Sequence, residues 1–405
     1  MDTITHGIVG ALIGKAYFAP EPRKKSKEAP PSWRQPPLDA RRVAIIAATL
    51  GAIFPDIDVF AGPLAHNSLA MIMWHRSITH SIVMLPLWAA LLAALTAALA
   101  RPLRWPAPPW TTLFAIYAVA LASHIFLDVI TSFGTMVWSP INSARPAWDW
   151  LFIVDLTLTG AALVPQLGAW AFRRSEGVGR RAFVTWASAA GCVFVVALVV
   201  RRIGIPFSNA GVAAAAVMLA GFLILPLRRG AGVRFGRTRW ARAGVALTAG
   251  YIAFAGGMHH VALQKVNAFV GEARLNAQST AALPLPPSAA NWAGMVATPD
   301  GIYRVEFDQF GSGPVQFSFF PQAASNSYIA TARNLRDVQI FLAFARFPQF
   351  RYLERGGQPV VRITDLRFYG MLGPVLGRAE ENPPFTYEVV FTQDGRVVSQ
   401  GLLRD

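Results

Sequence analysis

The chain has 405 residues, of which 54% are hydrophobic and only 15% are charged, and its net charge at pH 7 is +15. Because soluble globular proteins carry about a quarter charged residues, this composition favours a membrane protein over a soluble enzyme. The single cysteine, Cys192, excludes an intramolecular disulfide and a cluster of thiolate ligands. Most of the positive charge precedes Lys265 and separates apolar runs, so positive-inside loops explain it better than nucleic-acid binding, and no nucleic-acid partner is expected.

Apolar runs dominate the first 264 residues and predict a mainly α fold, a polytopic bundle of about eight transmembrane helices, because a span needs about 20 mostly apolar residues. The runs lie at 3–19, 42–62, 79–100, 110–131, 150–171, 182–200, 208–227 and 243–264. The first run is short, so a re-entrant or interfacial helix is its alternative. Its Gly7, Gly10 and Gly14 favour close helix packing. Residues 1–264 therefore form the predicted transmembrane domain.

The basic residues between the runs predict the side of the membrane that each loop faces. Segment 20–42 is rich in Lys, Arg and Pro, so the positive-inside rule places it in the cytoplasm. Alternation then places the loops 63–78, 132–149 and 201–207 outside, with only Arg201 and Arg202 against the rule. The chain after the eighth run is expected outside as well.

The pattern becomes that of a soluble protein after Lys265. Residues 265–284 are predicted as a linker, and residues 285–405 as a small β-rich extramembrane domain. Alternating runs with aromatic and β-branched residues predict strands at 303–307, 315–319, 338–345, 360–363 and 387–391, and Asp394-Gly395 predicts a hairpin turn. This domain has no histidine, so support or substrate gating is expected from it rather than chemistry.

Histidine and aspartate residues fall at the outer ends of the predicted helices, although the topology rests on Arg and Lys alone. Ionisable residues within a membrane are costly and are functional by default. Imidazole nitrogen and carboxylate oxygen suit a divalent metal, with Zn²⁺ favoured and Mn²⁺ as the alternative. The residues concerned are His6, Asp56 and Asp58 in FPDID, His75 and His80 in HRSITH, His124 and Asp128 in HIFLD, Asp149, Asp155, His259 and His260.

Local spacing supports part of this site. His124 and Asp128 are four residues apart, so they share one helix face and can chelate one ion. Their alternative is a buried, hydrogen-bonded pair. Asp56 and Asp58 point the same way if FPDID is extended, whereas the alternative for FPDID is a turn with a helix cap. The alternative for HRSITH is a polar interfacial segment.

These motifs occur in an order that resembles the YdjM-type family. The segments concerned are MDTITHGIVGALIG, FPDID, HRSITHS and HIFLDVITSFGT followed by WSPIN, all within residues 1–160. The family is described as LexA-regulated, inner-membrane-associated hydrolases inferred to depend on a metal. The resemblance implies a multi-pass protein of the cell inner membrane, and with the predicted topology it implies a periplasmic C-terminal domain.

A weaker similarity in ligand order is to zinc-dependent phospholipase C and the related single-strand nucleases. Those enzymes use an N-terminal amine or His, then Asp, then His, then His-x-x-x-Asp. The matching order here is His6, Asp56, His75 or His80, then His124 and Asp128. No second His follows soon after Asp128, so a site with one or two metals is expected rather than three.

Together these expectations describe a hydrolase that cleaves a phosphoester or lipid-linked substrate at the outer face, with membrane lipid as a partner. Asp58 is expected to bridge metals or to orient water, and Arg76 to bind a phosphate oxygen. Two alternatives stay open: an ion- or proton-handling transporter, and a non-catalytic assembly protein with a structural metal. The predicted metal ligands are His6, Asp56, His75, His80, His124, Asp128 and Asp155.

Overall fold

Helices occupy the chain up to Glu272, and strands dominate the remainder. The computed structural model describes residues 1–19, 39–60, 68–202, 209–311, 316–370 and 383–403. Most of the predicted cytoplasmic loop 20–42, and parts of the loops 63–78 and 201–207, lie outside these residues. The helices are α1 (Thr3–Ile13, continued by a π-helical turn Gly14–Phe18), α2 (Ala40–Ile53, continued by a 3-10 turn Phe54–Phe60), α3 (Ala70–Trp74), α4 (Leu85–Ala100), α5 (Trp110–Val129), α6 (Leu156–Ala171), α7 (Val178–Arg202), α8 (Asn209–Ile224), α9 (Ala231–Phe235) and α10 (Arg237–Glu272).

Within the described residues, four helical segments are long and apolar enough to cross a membrane. They are Ala40–Phe60, Trp110–Val129, Val178–Val199 and Asn209–Phe235, and a fifth is counted if Ala70–His80 and Leu85–Ala100, bent by 74°, form one broken span. The predicted count of about eight spans is therefore not supported. A helix of 16 residues, such as α6, is only about 24 Å long, shorter than the roughly 30 Å apolar core of a bilayer. The apolar run of α10 is diluted by its glycines and by His259 and His260.

Close packing at α1 brings the N-terminal segment into the centre of the bundle. Helix α1 packs against α2, α6 and α10, and α2 and α4 pack against α5. A Cβ atom on Gly10 would lie 2.5 Å from Ala52 Cβ and 2.6 Å from the carbonyl oxygen of Ala48, a separation that real side chains do not reach. The predicted use of glycine for close packing at α1 is therefore confirmed.

The C-terminal part, which we call the tail (279–402), contains two four-stranded antiparallel sheets. In each sheet the strands are neighbours in chain order, β1 to β4 and β5 to β8. Two short helices, α11 (Ser327–Asn334) and α12 (Arg336–Phe344), separate the sheets along the chain. The strands are β1 (Ser279–Leu285), β2 (Asn291–Thr298), β3 (Gly301–Asp308), β4 (Gln316–Pro321), β5 (Pro348–Arg355), β6 (Gln358–Asp365), β7 (Thr386–Phe391) and β8 (Val397–Leu402).

Most of the predicted strands are confirmed, together with the hairpin that joins β7 to β8 at Asp394-Gly395. The strand predicted at 338–345 is wrong, because Val338, Phe341 and Phe344 are buried at the three-residue spacing of one helix face in α12. Segment 265–284, predicted as a linker, is helical as far as Glu272 and pairs as strand β1 from Ser279. Because Ala281 and Ala282 stand side by side in β1, the strand lacks the alternation of apolar and polar residues that predicts a strand.

The tail packs directly on the helical part. Phe133, which follows α5, lies against the rings of Phe344, Phe368 and Phe385, at centroid distances between 5.1 and 6.1 Å. Arg346 forms a bidentate ion pair with Asp149, with both nitrogen–oxygen distances at 2.9 Å. Hydrophobic and charged contacts therefore hold the tail over the end of the bundle that carries the predicted site.

Candidate metal centre

Four ligand-type side chains converge at this end of the bundle. Each of Asp56, His80, His124 and Asp128 offers one ligand atom, and these atoms all lie within 4.8 Å of one another. All four residues are buried, with Asp56 the most exposed at 9%. Imidazole nitrogens and carboxylate oxygens are ligands of divalent ions such as zinc, so this buried group is a candidate metal centre.

Three chain segments supply these side chains. Asp56 lies in the 3-10 turn that continues α2, directly after Pro55. His80 ends a second 3-10 turn, Ile78–His80, before α4. His124 and Asp128 are one turn apart on α5, and the predicted i, i+4 geometry is what brings both to the same face.

The hydrogen bonds of the two imidazoles direct their Nε2 atoms at each other. His124 Nδ1 donates to the carbonyl oxygen of Ala52 at 2.6 Å, so the hydrogen is on Nδ1 and Nε2 keeps its lone pair. His80 Nδ1 lies 3.0 Å from the hydroxyl of Thr79, which donates its own hydrogen to Asp58. That hydroxyl can therefore only accept from His80. Both Nε2 lone pairs consequently face the same point.

The two imidazole nitrogens lie close to each other and to one oxygen of each carboxylate. His80 Nε2 lies 3.0 Å from His124 Nε2, 3.5 Å from Asp56 Oδ1 and 3.2 Å from Asp128 Oδ2. His124 Nε2 lies 3.5 Å from Asp56 Oδ1 and 3.4 Å from Asp128 Oδ2. Four ligands at about 2.0–2.1 Å from a zinc ion are separated by roughly 3.3–3.4 Å. The residues present therefore fit a divalent ion with nitrogen and oxygen ligands.

The two oxygens of Asp128 have different surroundings. Oδ1 contacts the amine of Met1, lies 3.3 Å from His6 Nε2 and is 3.0 Å from the guanidinium of Arg76. Among the described residues, Oδ2 is buried and receives no hydrogen bond. An acceptor left without a donor and aimed at two imidazole lone pairs is the pattern that a bound cation would satisfy.

Asp58 is not one of these four residues but contacts one of them, His80. Its carboxylate lies 2.8 Å from His75 Nδ1 and 3.2 Å from His80 Nδ1, and it accepts hydrogen bonds from the backbone N–H of Arg76 and the hydroxyl of Thr79. A carboxylate that holds the far nitrogen of a ligating histidine fixes its tautomer and orientation. The geometry thus puts Asp58 behind His80 rather than among the ligand atoms.

The other predicted site residues surround the centre at different distances. His6 stacks on His124 with ring centroids 3.6 Å apart. His75 pairs with Asp58 and does not reach the four-residue group. Arg76 is 1% exposed, and its backbone is in the left-handed region at φ 59°, which is strained for arginine.

Two predicted carboxylates are not brought to the centre. Asp155 caps the N-terminus of α6 by accepting from the N–H of Leu158 at 2.7 Å, and its other oxygen accepts from the hydroxyl of Tyr251 at 2.9 Å. Asp149 pairs with Arg346 of the tail. Both carboxylates are thus satisfied by protein donors away from the four ligand atoms.

Sequence reasoning missed two threonines at the centre. Thr3 donates to Asp56 Oδ2 at 2.5 Å. Thr131 accepts from Arg76 Nη1 at 2.9 Å and donates to the carbonyl oxygen of Asp128 at 2.8 Å. For Thr3 the available signal was its spacing of three residues from His6, since residues three apart on a helix share a face, whereas Thr131 lies beyond the end of α5 and gave no such signal.

A family model described as YdjM inner membrane protein matches residues 1–204, a stretch that contains the whole four-residue group. No curated protein and no solved structure matches the chain.

Proposed function

The chain belongs to the YdjM inner membrane protein family, and from that membership and the geometry of the centre we propose that it is a metal-dependent hydrolase of the inner membrane. The close approach of the donor atoms of Asp56, His80, His124 and Asp128, all within 4.8 Å of one another, carries the proposal. The absence of sulfur ligands also supports it, because structural zinc sites are mostly built with cysteine, whereas hydrolytic sites use His with Asp or Glu.

The reaction that fits this centre is hydrolysis of a phosphoester. A divalent ion bound there, zinc being the best fit, supplies a Lewis acid that brings the pKa of water to about 7 and offsets negative charge on phosphate. His75 is 13% exposed, and its Nδ1 is held by Asp58, so its Nε2 is free to take a proton from water at the edge of the centre. We assign His75 with Asp58 as the base.

Arg76 has a different part in this proposal from the one expected. Its two terminal nitrogens are already bonded to Asp128 and to Thr131, so it holds Asp128 Oδ1 and leaves Oδ2 for the ion. Binding of a phosphate oxygen by Arg76 stays a prediction, for which its Nε, buried and without a partner among the described residues, is the available donor.

A lipid-linked substrate fits the edge at which the centre reaches the surface. Thr3 is exposed and bonds directly to Asp56. The residue after Thr3, Ile4, is 74% exposed, and the residue after Asp56, Ile57, is 55% exposed. Exposed apolar side chains beside a polar centre are typical of a surface that meets membrane lipid. We therefore propose a phosphoester carried on a lipid, reached from the outer leaflet, with the tail on the periplasmic side.

The first test is the metal content of the detergent-purified full chain, measured by elemental mass spectrometry. We expect about one equivalent of zinc in the wild type, none in the double variant His124→Ala with Asp128→Ala, and an unchanged amount in His260→Ala. His260 is an exposed histidine on α10 bonded to Gln264, away from the centre. A wild type that stays free of metal after reconstitution would refute the proposal and favour an ion- or proton-handling protein.

Activity is then measured with bis(p-nitrophenyl) phosphate and with a fluorescent phosphatidylglycerol in vesicles. Hydrolysis of either probe by the zinc-loaded wild type, lost in the double variant and kept in His260→Ala, is the expected result. A metal-loaded protein that cleaves neither probe would contradict the phosphoester assignment.

A structural metal is the second candidate, because four protein ligands would fill a tetrahedral shell and leave no open position. The two candidates differ in their response to a small anion. If the Co²⁺-substituted protein changes its visible absorption on addition of inorganic phosphate, a position is open to substrate. An unchanged spectrum, together with a lower melting temperature after chelation, would favour the structural role.

A further inference from the structure

One arginine of the tail reaches across to the helical part. Arg367 is 1% exposed and lies in the 3-10 turn Leu366–Phe368 that follows β6. On the tail side it pairs with Asp365 at 2.6 Å and donates to the carbonyl oxygen of Phe344 at 2.7 Å. On the other side it donates to the carbonyl oxygens of Ser132 at 2.8 Å and Phe133 at 3.3 Å.

Those two carbonyls belong to the segment that directly follows Asp128. Thr131, the residue before Ser132, bonds to the carbonyl oxygen of Asp128 and accepts from Arg76. Arg76 in turn pairs with Asp128 Oδ1. The backbone of residues 131–133 therefore links the Arg367 hydrogen bonds to those that Thr131 and Arg76 make with the carbonyl oxygen and Oδ1 of Asp128.

Aromatic packing follows the same path. Phe133 touches Phe344, Phe368 and Phe385 of the tail. The guanidinium of Arg76 lies 5.0 Å from the centroid of the same ring, and the ring of His75 lies 5.6 Å from it. Movement of the tail would thus displace groups that touch Asp128 and Asp58.

We propose that Arg367 is a positioning residue of the metal centre, so that the affinity of the centre for its ion depends on docking of the tail. The inference rests on the proposed metal centre but not on any hydrolytic activity. It gives the tail, which lies beyond the stretch matched by the family model, a defined role in holding Asp128 Oδ2 where an ion would be bound.

The test compares Arg367→Lys with Arg362→Lys in the full chain. Lysine keeps the charge beside Asp365 but lacks the planar fork that serves a carboxylate and three carbonyls at once. Arg362 also pairs with a tail carboxylate, Glu388, at 2.8 Å, and both partners of this ion pair lie within the tail, so it controls for a general loss of tail stability.

Zinc affinity is measured by competition with a chromogenic chelator. Arg367→Lys should lower it by about 10-fold or more, as expected when a group that orients a ligand is lost, and should alter the visible spectrum of the Co²⁺-substituted protein. Arg362→Lys should leave both unchanged. Wild-type affinity and spectrum in Arg367→Lys would overturn the inference. A wild type that binds no zinc would instead overturn the proposed function.

A second variant tests the path from the other end and applies even if Arg367→Lys fails to fold. Thr131→Val keeps the shape of the side chain but removes its hydrogen bonds to Arg76 and Asp128, so it should also weaken zinc binding. Combined with Arg367→Lys, it should add less than its single effect, because residues on one path are not independent. Wild-type affinity in Thr131→Val, or fully additive effects of the pair, would refute the path.

Discussion

Replacing Asp58 by asparagine tests whether the carboxylate behind His80 sets the affinity of the centre. Four groups lie 2.8 to 3.2 Å from the carboxylate oxygens of Asp58. They are the Nδ1 atoms of His75 and His80, the backbone N–H of Arg76 and the hydroxyl of Thr79. Asparagine is neutral, so His80 Nδ1 loses its contact with a negative charge whichever way the amide faces. A hydrogen bond to a charged group is worth about 1.5–3 kcal/mol, which corresponds to a fall in zinc affinity of roughly 10- to 100-fold.

The assay is the chelator competition, with Asp155→Asn as the matched control. Asp155 is equally a buried carboxylate that accepts from a backbone N–H and a hydroxyl, but it caps α6 away from the centre. Asparagine is as good an N-cap as aspartate, so this variant should keep both its fold and its zinc affinity. Wild-type affinity in Asp58→Asn, or an equal loss in both variants, would refute the reasoning.

Three further predictions concern stability. Gly10→Ala should destabilise the protein by about 1–3 kcal/mol through overpacking, whereas Gly160→Ala, with open space around its Cβ, should be neutral. The measurement is the melting temperature of each variant in detergent, and equal melting temperatures for the two variants would contradict the packing at Gly10. Burial acts to raise the pKa of Glu388, but hydrogen bonds from its two arginine partners outweigh it and hold the pKa below the usual 4.5. The stability gap between wild type and Glu388→Gln should therefore be full above pH 4.5 and close as the pH falls below it; a gap independent of pH would exclude this linkage. Arg346→Gln leaves Asp149 buried without its cation and should lower the free energy of unfolding by about 2 kcal/mol. This is less than for a fully buried pair, because Arg346 is 32% exposed. We expect faster limited proteolysis of the tail, and an unchanged rate would count against this contact.

Much of the centre follows from short-range patterns in the sequence. The i, i+4 spacing of His124 and Asp128 fixes their common face without knowledge of the rest of the fold. Their meeting with Asp56 and His80 needs three separate segments, and only the shared outer ends of the predicted helices indicate it. The division between the four inner residues and the outer Asp58 and His75 depends on turns of a few residues, where spacing alone cannot say which side chain points inward.

The number of spans could not be predicted from apolar composition alone. Apolar composition does not separate a helix that crosses the bilayer from a shorter one that packs inside the bundle, and α6 is as apolar as a span but only 16 residues long. The same ambiguity affects α12, in which β-branched and aromatic residues resemble a strand although their burial follows a helix. Tertiary packing decides both cases.

The position of Arg367 in the chain bears on how the centre is completed. Its contact with Ser132 joins residues 235 positions apart, whereas His80 and His124 are separated by only 44. In a chain made from its N-terminus, all four ligand-type residues leave the ribosome long before Arg367 exists. The contact that steadies the segment after Asp128 is therefore among the last to form, and a truncated product would carry every ligand but not the finished centre.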